Sequence, residues 1–420
     1  MRAQRGYRSF SWREALSAHR GKLTVLFTWL LLVPLAEPPA TAMGSRPRVV
    51  ATSPAPQPRT PESLLVQSLL DIQHNRLDQA LEKIDTVLRI EPNFRLAHLI
   101  KGDLLMARAR PIATLGNVAD ERVPDFREEA RVRLKRYLEP LPQDRIPEYL
   151  LKLDPAQSHA LVVDTSRSRL FIYRNDQGEP RYVTDFYVTV GKRGADKYRE
   201  GDQRTPVGVY FVTDDLPPAR LTDFYGAGAF PISYPNEWDR RQGRNGSGIW
   251  LHGVPSDTYS RPPRASNGCV VLSNEDLSTL RQYLNVGHTP VIITDGITWM
   301  DRNLWRSERE AISREIERWR RDWESLDTER YLAHYSPSFS SGELDFSAWA
   351  AQKRQVNASK THVRITLSNL SILRYPGREK LVVVTFEQDY RSNNLEQTMR
   401  KRQYWREENG VWKIVYEGAV

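Results

Sequence analysis

The hydrophobic period of the chain changes near Pro147, and this change limits the folds that the sequence can adopt. Before it, apolar residues recur at helical spacing, as at Leu65, Leu69 and Ile72. After it, short apolar runs such as 159–164 are separated by polar turns. Helical spacing buries one stripe of a helix, whereas short alternating runs bury one face of a sheet. The 420 residues are therefore expected to form a multidomain α+β protein.

Composition and period together divide the chain into five segments. We predict a signal peptide (1–42), a Pro-rich linker (43–61), a helical segment (62–142), a mostly β domain (147–297) and a C-terminal α+β unit (306–420). The linker should be extended, because prolines alternate there with small and polar residues.

The first 42 residues have the order of a secretory signal. Basic residues up to Lys22 precede an apolar run at 23–36, and the small-x-small sequence Ala40-Thr41-Ala42 follows. The apolar run is shorter than the ~20 residues that span a bilayer. We expect export to the periplasm or cell envelope, with an uncleaved membrane anchor as the alternative.

Charge and motif content argue against several function classes. The net charge of +9 falls to +5 once the predicted signal is removed, and no concentrated basic tract remains. We therefore expect no nucleic-acid partner. The sequence also lacks His-Glu-x-x-His, paired cysteines and Gly-rich phosphate loops. We expect no metal and no other cofactor.

The helical segment resembles a tetratricopeptide repeat over a short stretch. Small residues stand at Ser68 and, 34 residues later, at Gly102, with Ala80 and Pro92 between them. Barely one and a half repeats are visible, whereas about three make a stable solenoid. A plain helical hairpin, packed on the mostly β domain or forming a homodimer with a second copy, and a peptide-binding groove both stay open.

Cys269 is the only cysteine in the chain, and it follows Gly268 in a turn. His252 lies 17 residues upstream at the end of an apolar run. A thiolate is a strong nucleophile that forms readily beside a base such as histidine. A small buried hydrophobe is the alternative role for a lone cysteine. In an exported chain a lone thiol risks oxidation, which favours a chemical role for it.

Several motifs stand in a fixed order around this pair. They are the strand pair 161–173, Gly191-Lys192, Thr205-Pro206-Val207-Gly208-Val209-Tyr210, His252-Gly253, and Ser266-x-Gly268-Cys269 with Asn274. In that order and spacing, residues 159–296 resemble the YkuD-type L,D-transpeptidase catalytic domain.

The resemblance implies cysteine acyl transfer on peptidoglycan stem peptides. Cys269 would attack the diamino acid–D-Ala bond of a tetrapeptide stem, and His252 would carry the proton. In this family a backbone carbonyl holds the histidine, here the carbonyl of Gly253. Ser266, Asn267 and Gly268 would then belong to the oxyanion and substrate-binding turn.

Two positions depart from the family's Ser-His-Gly-Cys-x-Arg pattern. Asn267 replaces the histidine and Val271 replaces the arginine. The planar guanidinium of an arginine suits a substrate carboxylate, so its loss puts conventional cross-linking in doubt. Arg261 or Arg264 could take over that role, and a solvated loop charge is the alternative reading for both.

The C-terminal unit should contain helices at 308–326 and 346–356, with helix continuing through Tyr335, and then antiparallel strands over 363–417. This order resembles an NTF2-like cone of unknown ligand. We expect the unit to have its own core, with Trp319, Trp323, Trp349 and Tyr390 in it, and His334 to be a partly buried polar residue.

The whole arrangement resembles the cell-shape-determining L,D-carboxypeptidase group, in which water is the acyl acceptor. Transpeptidation and carboxypeptidation both remain open on the sequence. A hydrolase that detaches a wall-linked protein and a non-catalytic binding scaffold are the further alternatives.

Overall fold

The computed structural model describes most of the chain beyond the linker. The predicted signal and all of the linker except Thr60 and Pro61 lie outside the described residues, which are 60–112, 114–139, 144–342, 344–377 and 379–420. Within these ranges, no helix combines the length and apolar character needed to cross a membrane. The chain divides into two compact units between Lys135 and Arg136.

The first unit is helical. Thr60 caps its first helix in a reciprocal pair with Ser63, and Asn75, with a φ of 58°, separates the first two helices. The Ser68 hydroxyl donates to the carbonyl of Ala80 (3.0 Å) and joins the same two helices. The tetratricopeptide resemblance and the homodimer stay predictions. The helices are α1 (Pro61–Gln73), α2 (Leu77–Ile90), α3 (Arg95–Ala107) and α4 (Val123–Leu138).

The second unit begins with a β-rich domain of several small sheets. Its largest sheet has the order β5-β4-β3-β12-β7, and a smaller sheet has the order β11-β9-β8. The strands are β1 (Arg145–Pro147), β2 (Leu150–Lys152), β3 (His159–Asp164), β4 (Arg169–Asp176), β5 (Glu179–Tyr187), β6 (Val190–Gly191), β7 (Gly208–Phe211), β8 (Ala229–Pro231), β9 (Trp250–His252), β10 (Arg264–Ser266), β11 (Val270–Val271), β12 (Pro290–Thr294) and β13 (Trp299–Asp301). Two helices accompany them, α5 (Glu237–Arg241) and α6 (Asn274–Arg281).

The two sheets share one hydrophobic core. Leu161 and Ile293 of the large sheet, Leu251 and Val270 of the small sheet, and Leu277 of α6 belong to one buried cluster. Because β9 and β11 each pack side chains into this core, the segments next to these two strands are held in place.

The C-terminal part of the second unit adds helices and long strands. Their sheet has the order β15-β14-β19-β18-β17-β16-β2. The elements are α7 (Arg302–Glu324), α8 (Thr328–Leu332), β14 (Tyr335–Ser341), β15 (Leu344–Asp345), α9 (Phe346–Ala358), β16 (Val363–Arg374), β17 (Leu381–Ser392), β18 (Leu395–Glu408) and β19 (Val411–Ala419). The multidomain α+β fold class is confirmed.

The helix that was predicted to continue through Tyr335 ends earlier, and Tyr335 belongs to a strand. Helix α8 ends at Leu332, and Tyr335 begins β14, which pairs in parallel with Ile414 of β19. The sequence after Tyr335 is rich in serine and lacks the alternation of a typical half-buried strand. Pairing with a distant strand therefore decides its conformation.

The predicted aromatic core of this part is present. Trp319, Trp323, Trp349 and Tyr390 are buried in one cluster. His334 is also buried, and its Nε2 lies 2.8 Å from a carboxylate oxygen of Asp322.

Besides its own aromatic core, the C-terminal unit shares buried contacts with the β-rich domain. Strand β2 of the β-rich domain joins the sheet of the C-terminal part by pairing with β16. A shared buried cluster contains Phe211 and Trp238 from one side and Tyr375 and Tyr404 from the other. The Trp238 and Tyr404 rings stack with centroids 5.7 Å apart. Which apolar faces meet across the chain is a tertiary property that the local period does not reveal.

Candidate active site

Cys269 and His252 lie on neighbouring parallel segments. Strand β11 pairs with β9 so that Val270 is opposite Leu251 and Val271 is opposite His252. Alternate residues of a strand share a face. Cys269, two residues before Val271, is therefore directed to the same face as His252.

The thiol of Cys269 is half-buried and protonated at rest. Its Sγ donates to the carbonyl of Gly248 at 3.4 Å. Burial raises the pKa of the Cys269 thiol, while a hydrogen bond from the Trp250 amide and the charges of Arg261 and Lys197 oppose that rise. The thiolate forms only when a base takes the proton.

His252 is placed to be that base. The side chain is 1% exposed. Its Nδ1 lies 2.7 Å from the carbonyl oxygen of Gly253, which can only accept, so Nδ1 carries the hydrogen and Nε2 is the basic nitrogen. Burial lowers the pKa of His252 to about 4, against the Gly253 hydrogen bond and with a smaller contribution from Arg261. The imidazole is therefore neutral near pH 7.

Asn274 fixes the backbone that follows the histidine. Its Oδ1 accepts from the amides of Ala227 (2.9 Å) and Val254 (3.1 Å), and its Nδ2 donates to the carbonyl of Val254 (2.9 Å). A Cβ on Gly253 would lie 2.2 Å from that Oδ1. Asn274 thus fixes the loop whose first carbonyl orients His252.

Ser266 shapes the turn before the cysteine. Its hydroxyl accepts from the Gly268 amide (3.1 Å) and donates to the Cys269 carbonyl (2.6 Å). Gly268 has a φ of +130°, and a Cβ there would lie 2.7 Å from the carbonyl oxygen of Arg204. Glycine is required at this position by both conformation and space.

Thr205 ties the Thr-Pro motif to the same turn. Its hydroxyl donates to the Gly268 carbonyl and its oxygen accepts from the Gly191 amide, both at 2.9 Å. A Cβ on Gly191 would come within 2.5 Å of the Gln203 carbonyl oxygen. The motif pieces at Gly191, Thr205 and Gly268 therefore form one hydrogen-bonded support.

An aromatic wall that the sequence reasoning missed stands beside His252. The ring centroids of Tyr225 and Phe224 lie 5.1 and 5.7 Å from that of His252, and Tyr225 also contacts Trp250 at 4.9 Å. Phe224 is nevertheless 49% exposed. These residues precede the histidine by more than twenty positions in a short 3₁₀ helix, Asp223–Tyr225, so spacing gave no signal for them.

Of the two candidate arginines, the structure brings Arg261 to this wall. Its guanidinium lies 4.8 Å from the centroid of the Phe224 ring. The Arg261 carbonyl accepts from the hydroxyls of Tyr187 and Thr189, both at 2.9 Å. Arg264 and Asn267 are exposed, and within the described residues neither side chain makes a hydrogen bond or ion pair.

The described part of the chain contains no group of three His, Cys, Asp or Glu side chains arranged to hold a metal ion.

Comparison with known families finds two matching parts of the chain. Residues 158–293, which contain both His252 and Cys269, match the L,D-transpeptidase catalytic domain family YkuD. This chain carries a YkuD catalytic domain. Residues 311–418 match the Cds6 C-terminal NTF2-like domain. The predicted resemblances to YkuD and to an NTF2-like domain are confirmed.

Two solved structures resemble much of the chain. Bd1075 of Bdellovibrio bacteriovorus is 27% identical with a TM-score of 0.59, over 65% of this chain and 97% of that protein. The helical cell shape determining protein Pgp2 of Campylobacter jejuni is 25% identical with a TM-score of 0.54, over 64% and 95%. No curated protein matches the chain.

Proposed function

We propose that this protein is an exported cysteine enzyme that cleaves the diamino acid–D-Ala bond of peptidoglycan tetrapeptide stems. The observation that carries the proposal is the pair formed by Cys269 and a neutral His252 whose Nδ1–H is held by Gly253, within a YkuD domain. A thiol beside an oriented imidazole is the arrangement that nucleophilic catalysis requires.

The first half-reaction forms a thioester. Nε2 of His252 takes the thiol proton while Sγ of Cys269 attacks the carbonyl carbon of the diamino acid. The C–N bond then breaks, and the imidazolium gives the proton to the departing amine of D-alanine. The tripeptide remains bound to Sγ as an acyl group.

The backbone of the cysteine turn would stabilise the oxyanion. The Gly268 amide already donates to Ser266, which leaves the Cys269 amide as the donor of this turn for the oxyanion. The earlier assignment of Gly268 is thus changed: Gly268 and Ser266 position the turn. An amide aimed at the developing charge is typically worth about 10²–10³ in rate.

We propose water as the acyl acceptor, which makes the enzyme an L,D-carboxypeptidase. Val271 is buried where the family pattern has an arginine, and the similarity to a cell shape determining protein supports the same assignment. The same thioester attacked by an amine would give transpeptidation. Export and a place in the periplasm or cell envelope belong to the proposal because the substrate is there.

Product analysis tests the reaction. Purified enzyme incubated with disaccharide-tetrapeptide in heavy-oxygen water should give the disaccharide-tripeptide with one heavy oxygen in its new carboxylate. Mass spectrometry of the products provides the measurement, with Cys269→Ala protein as the control. Cross-linked dimers would identify a transpeptidase instead, and unchanged tetrapeptide at high enzyme concentration would contradict the proposed function.

As the pH is lowered, kcat/KM should decline with a pKa of about 4, rather than with the ordinary histidine pKa of about 6.5. Neutral His252 is the base. Because burial disfavours its protonated form, a lower pH is needed to protonate His252 and abolish the base. A pH profile of tetrapeptide cleavage measures this, with circular dichroism at each pH to exclude unfolding. A limb near 6.5 would show that the histidine is solvated in the working enzyme.

Arg261→Gln should raise the KM for tetrapeptide by roughly 10–100-fold, the range for losing one charge-assisted hydrogen bond. We propose that Arg261, stacked on Phe224 beside His252, binds a substrate carboxylate in place of the missing family arginine. Its removal should also raise the pKa of the acid limb, because its charge lowers the pKa of His252.

Arg264→Gln is the matched control, since it removes the same charge from a neighbouring position between His252 and Cys269. We expect it to change KM by less than about twofold, as for an exposed surface charge. A larger effect at Arg264 than at Arg261 would reverse the assignment.

A further inference from the structure

A second cleft lies in the second unit where the YkuD domain meets the NTF2-like domain. Its volume is about 760 Å³, within the usual range for ligand sites. It contains none of the residues of the cysteine turn or the aromatic wall. Its polar lining includes Lys152, Ser158, Arg174, Asn175, Ser368 and Asn369.

A hairpin turn from one domain and a β-bulge from the other line this cleft. The β4–β5 turn places Gln177 and Gly178 at φ values of 52° and 88°. On the opposite side, the pairing of β16 with β17 shifts between Ser368 and Ser371, and Asn369 has a φ of 51°. A bulge with a non-glycine residue at positive φ costs stability and is often found where a strand is shaped for a site.

Two cationic side chains line the cleft, and a third, Arg309, lies close to one of them, Lys152. Lys152 and Arg174 line it. Cγ of Lys152 and a guanidinium nitrogen of Arg309 lie 3.7 and 3.9 Å from the position of a Cβ built on Gly178. Burial and the charge of Arg309 lower the pKa of Lys152. The like charges are therefore close enough to repel one another.

These cations have no carboxylate partners in the described part of the chain. No ion pair of Lys152, Arg174 or Arg309 occurs there, whereas nearby Arg374 pairs with Glu148 at 3.1 Å and Glu308 at 2.9 Å. Lys152 and Arg309 are half-buried, so their like charges are unfavourable unless an anion joins them, whereas Arg174 is exposed and can reach a ligand from solvent.

The remaining lining fits a peptide better than a bare anion. The half-buried Leu367 and Leu370 provide apolar surface, and Ser368 and Asn369 provide an exposed hydroxyl and amide. Apolar walls with a few polar groups are typical of sites for organic ligands.

We propose that this cleft is a second binding site for a carboxylate-bearing stem peptide of peptidoglycan. The identity of the ligand rests on the proposed function, because only that function supplies a peptide rich in carboxylates. A stem held here leaves the catalytic turn open to another stem. Two linked contacts would then retain the enzyme on polymeric wall more strongly than either contact alone.

The single cysteine makes a direct test possible. The Cys269→Ala/Ser368→Cys protein has one thiol, at the exposed rim of the cleft, to which a fluorophore can be attached. Titration with disaccharide-tetrapeptide should give a saturable fluorescence change without turnover. Lys152→Gln/Arg174→Gln in that background should weaken the apparent Kd by roughly tenfold or more, since charge-assisted contacts are lost.

Arg314→Gln/Arg318→Gln is the matched control, because it removes two exposed charges from α7. It should leave the Kd within about twofold. Inorganic phosphate at equal ionic strength should compete weakly, and muropeptide with amidated carboxylates should bind at least tenfold more weakly.

Equal binding of the amidated muropeptide, or equal weakening by both double variants, would overturn the proposal. So would the lack of saturation by both fluorescence and calorimetry of the unlabelled Cys269→Ala protein. Phosphate competing as strongly as the muropeptide would identify a general anion site and also overturn it. Binding is measured in an inactive protein, so failure here leaves the proposed reaction untouched, and failure of the product assay leaves this result standing.

Discussion

Cys269→Ala should lower kcat/KM for tetrapeptide cleavage by roughly 10³-fold or more, because the attacking atom is removed. The fold should survive, since the hydrogen bond that Sγ donates to the Gly248 carbonyl is long, at 3.4 Å. Cys269→Ser should be almost as inactive, because a hydroxyl is far less ionised than a thiol. Mass spectrometry of products measures the rates, and circular dichroism compares the folds.

Alkylation provides an independent check of the same assignment. Cys269 is the only thiol in the chain, so one carboxamidomethyl group per molecule should coincide with complete loss of activity. The alkylation rate should rise with pH, because burial raises the pKa of this thiol. A Cys269→Ala protein that keeps more than a few per cent of wild-type activity would exclude Cys269 as the nucleophile.

The sequence predicted much of the secondary structure because the spacing of apolar residues and the polar turns between them are local signals. The predicted strand 159–164 is β3, and the antiparallel strands predicted over 363–417 are β16 to β19. The strand beginning at Tyr335 was missed, because its conformation depends on pairing with β19. Strand β2 illustrates the same point, since only tertiary structure places it beside β16.

Some residues of the candidate site could also be predicted from the sequence, whereas others required the structure. The spacing of His252 and Cys269 indicated a catalytic pair, and in the structure Cys269 directly precedes β11, which pairs with β9, the strand that ends at His252. Phe224 and Tyr225 gave no sequence signal, because the loop that brings them to His252 has no periodicity. The choice between Arg261 and Arg264 also required side-chain positions, since both arginines stand between His252 and Cys269.

Deleting residues 302–420 should leave the YkuD domain unfolded or insoluble. Leu150, Val209, Phe211 and Trp238 are buried in the cluster that both domains share, and the deletion would expose them to water. Exposing a large apolar side chain costs about 1.5–3 kcal/mol. Four such side chains cost about 6–12 kcal/mol, which equals the whole stability of a typical domain, about 5–15 kcal/mol.

A point substitution in the full chain tests the same interface without a deletion. Trp238→Ala should lower the free energy of unfolding by about 3–5 kcal/mol, the cost of a large aromatic cavity. Trp238→Phe should keep much of the stacking on Tyr404 and therefore lower the free energy of unfolding by less. Urea unfolding followed by circular dichroism measures both variants and the truncated chain. A soluble truncated protein that unfolds cooperatively with near-native stability would show that the YkuD domain completes its own core, and the shared cluster would then be a docking contact between two independent domains.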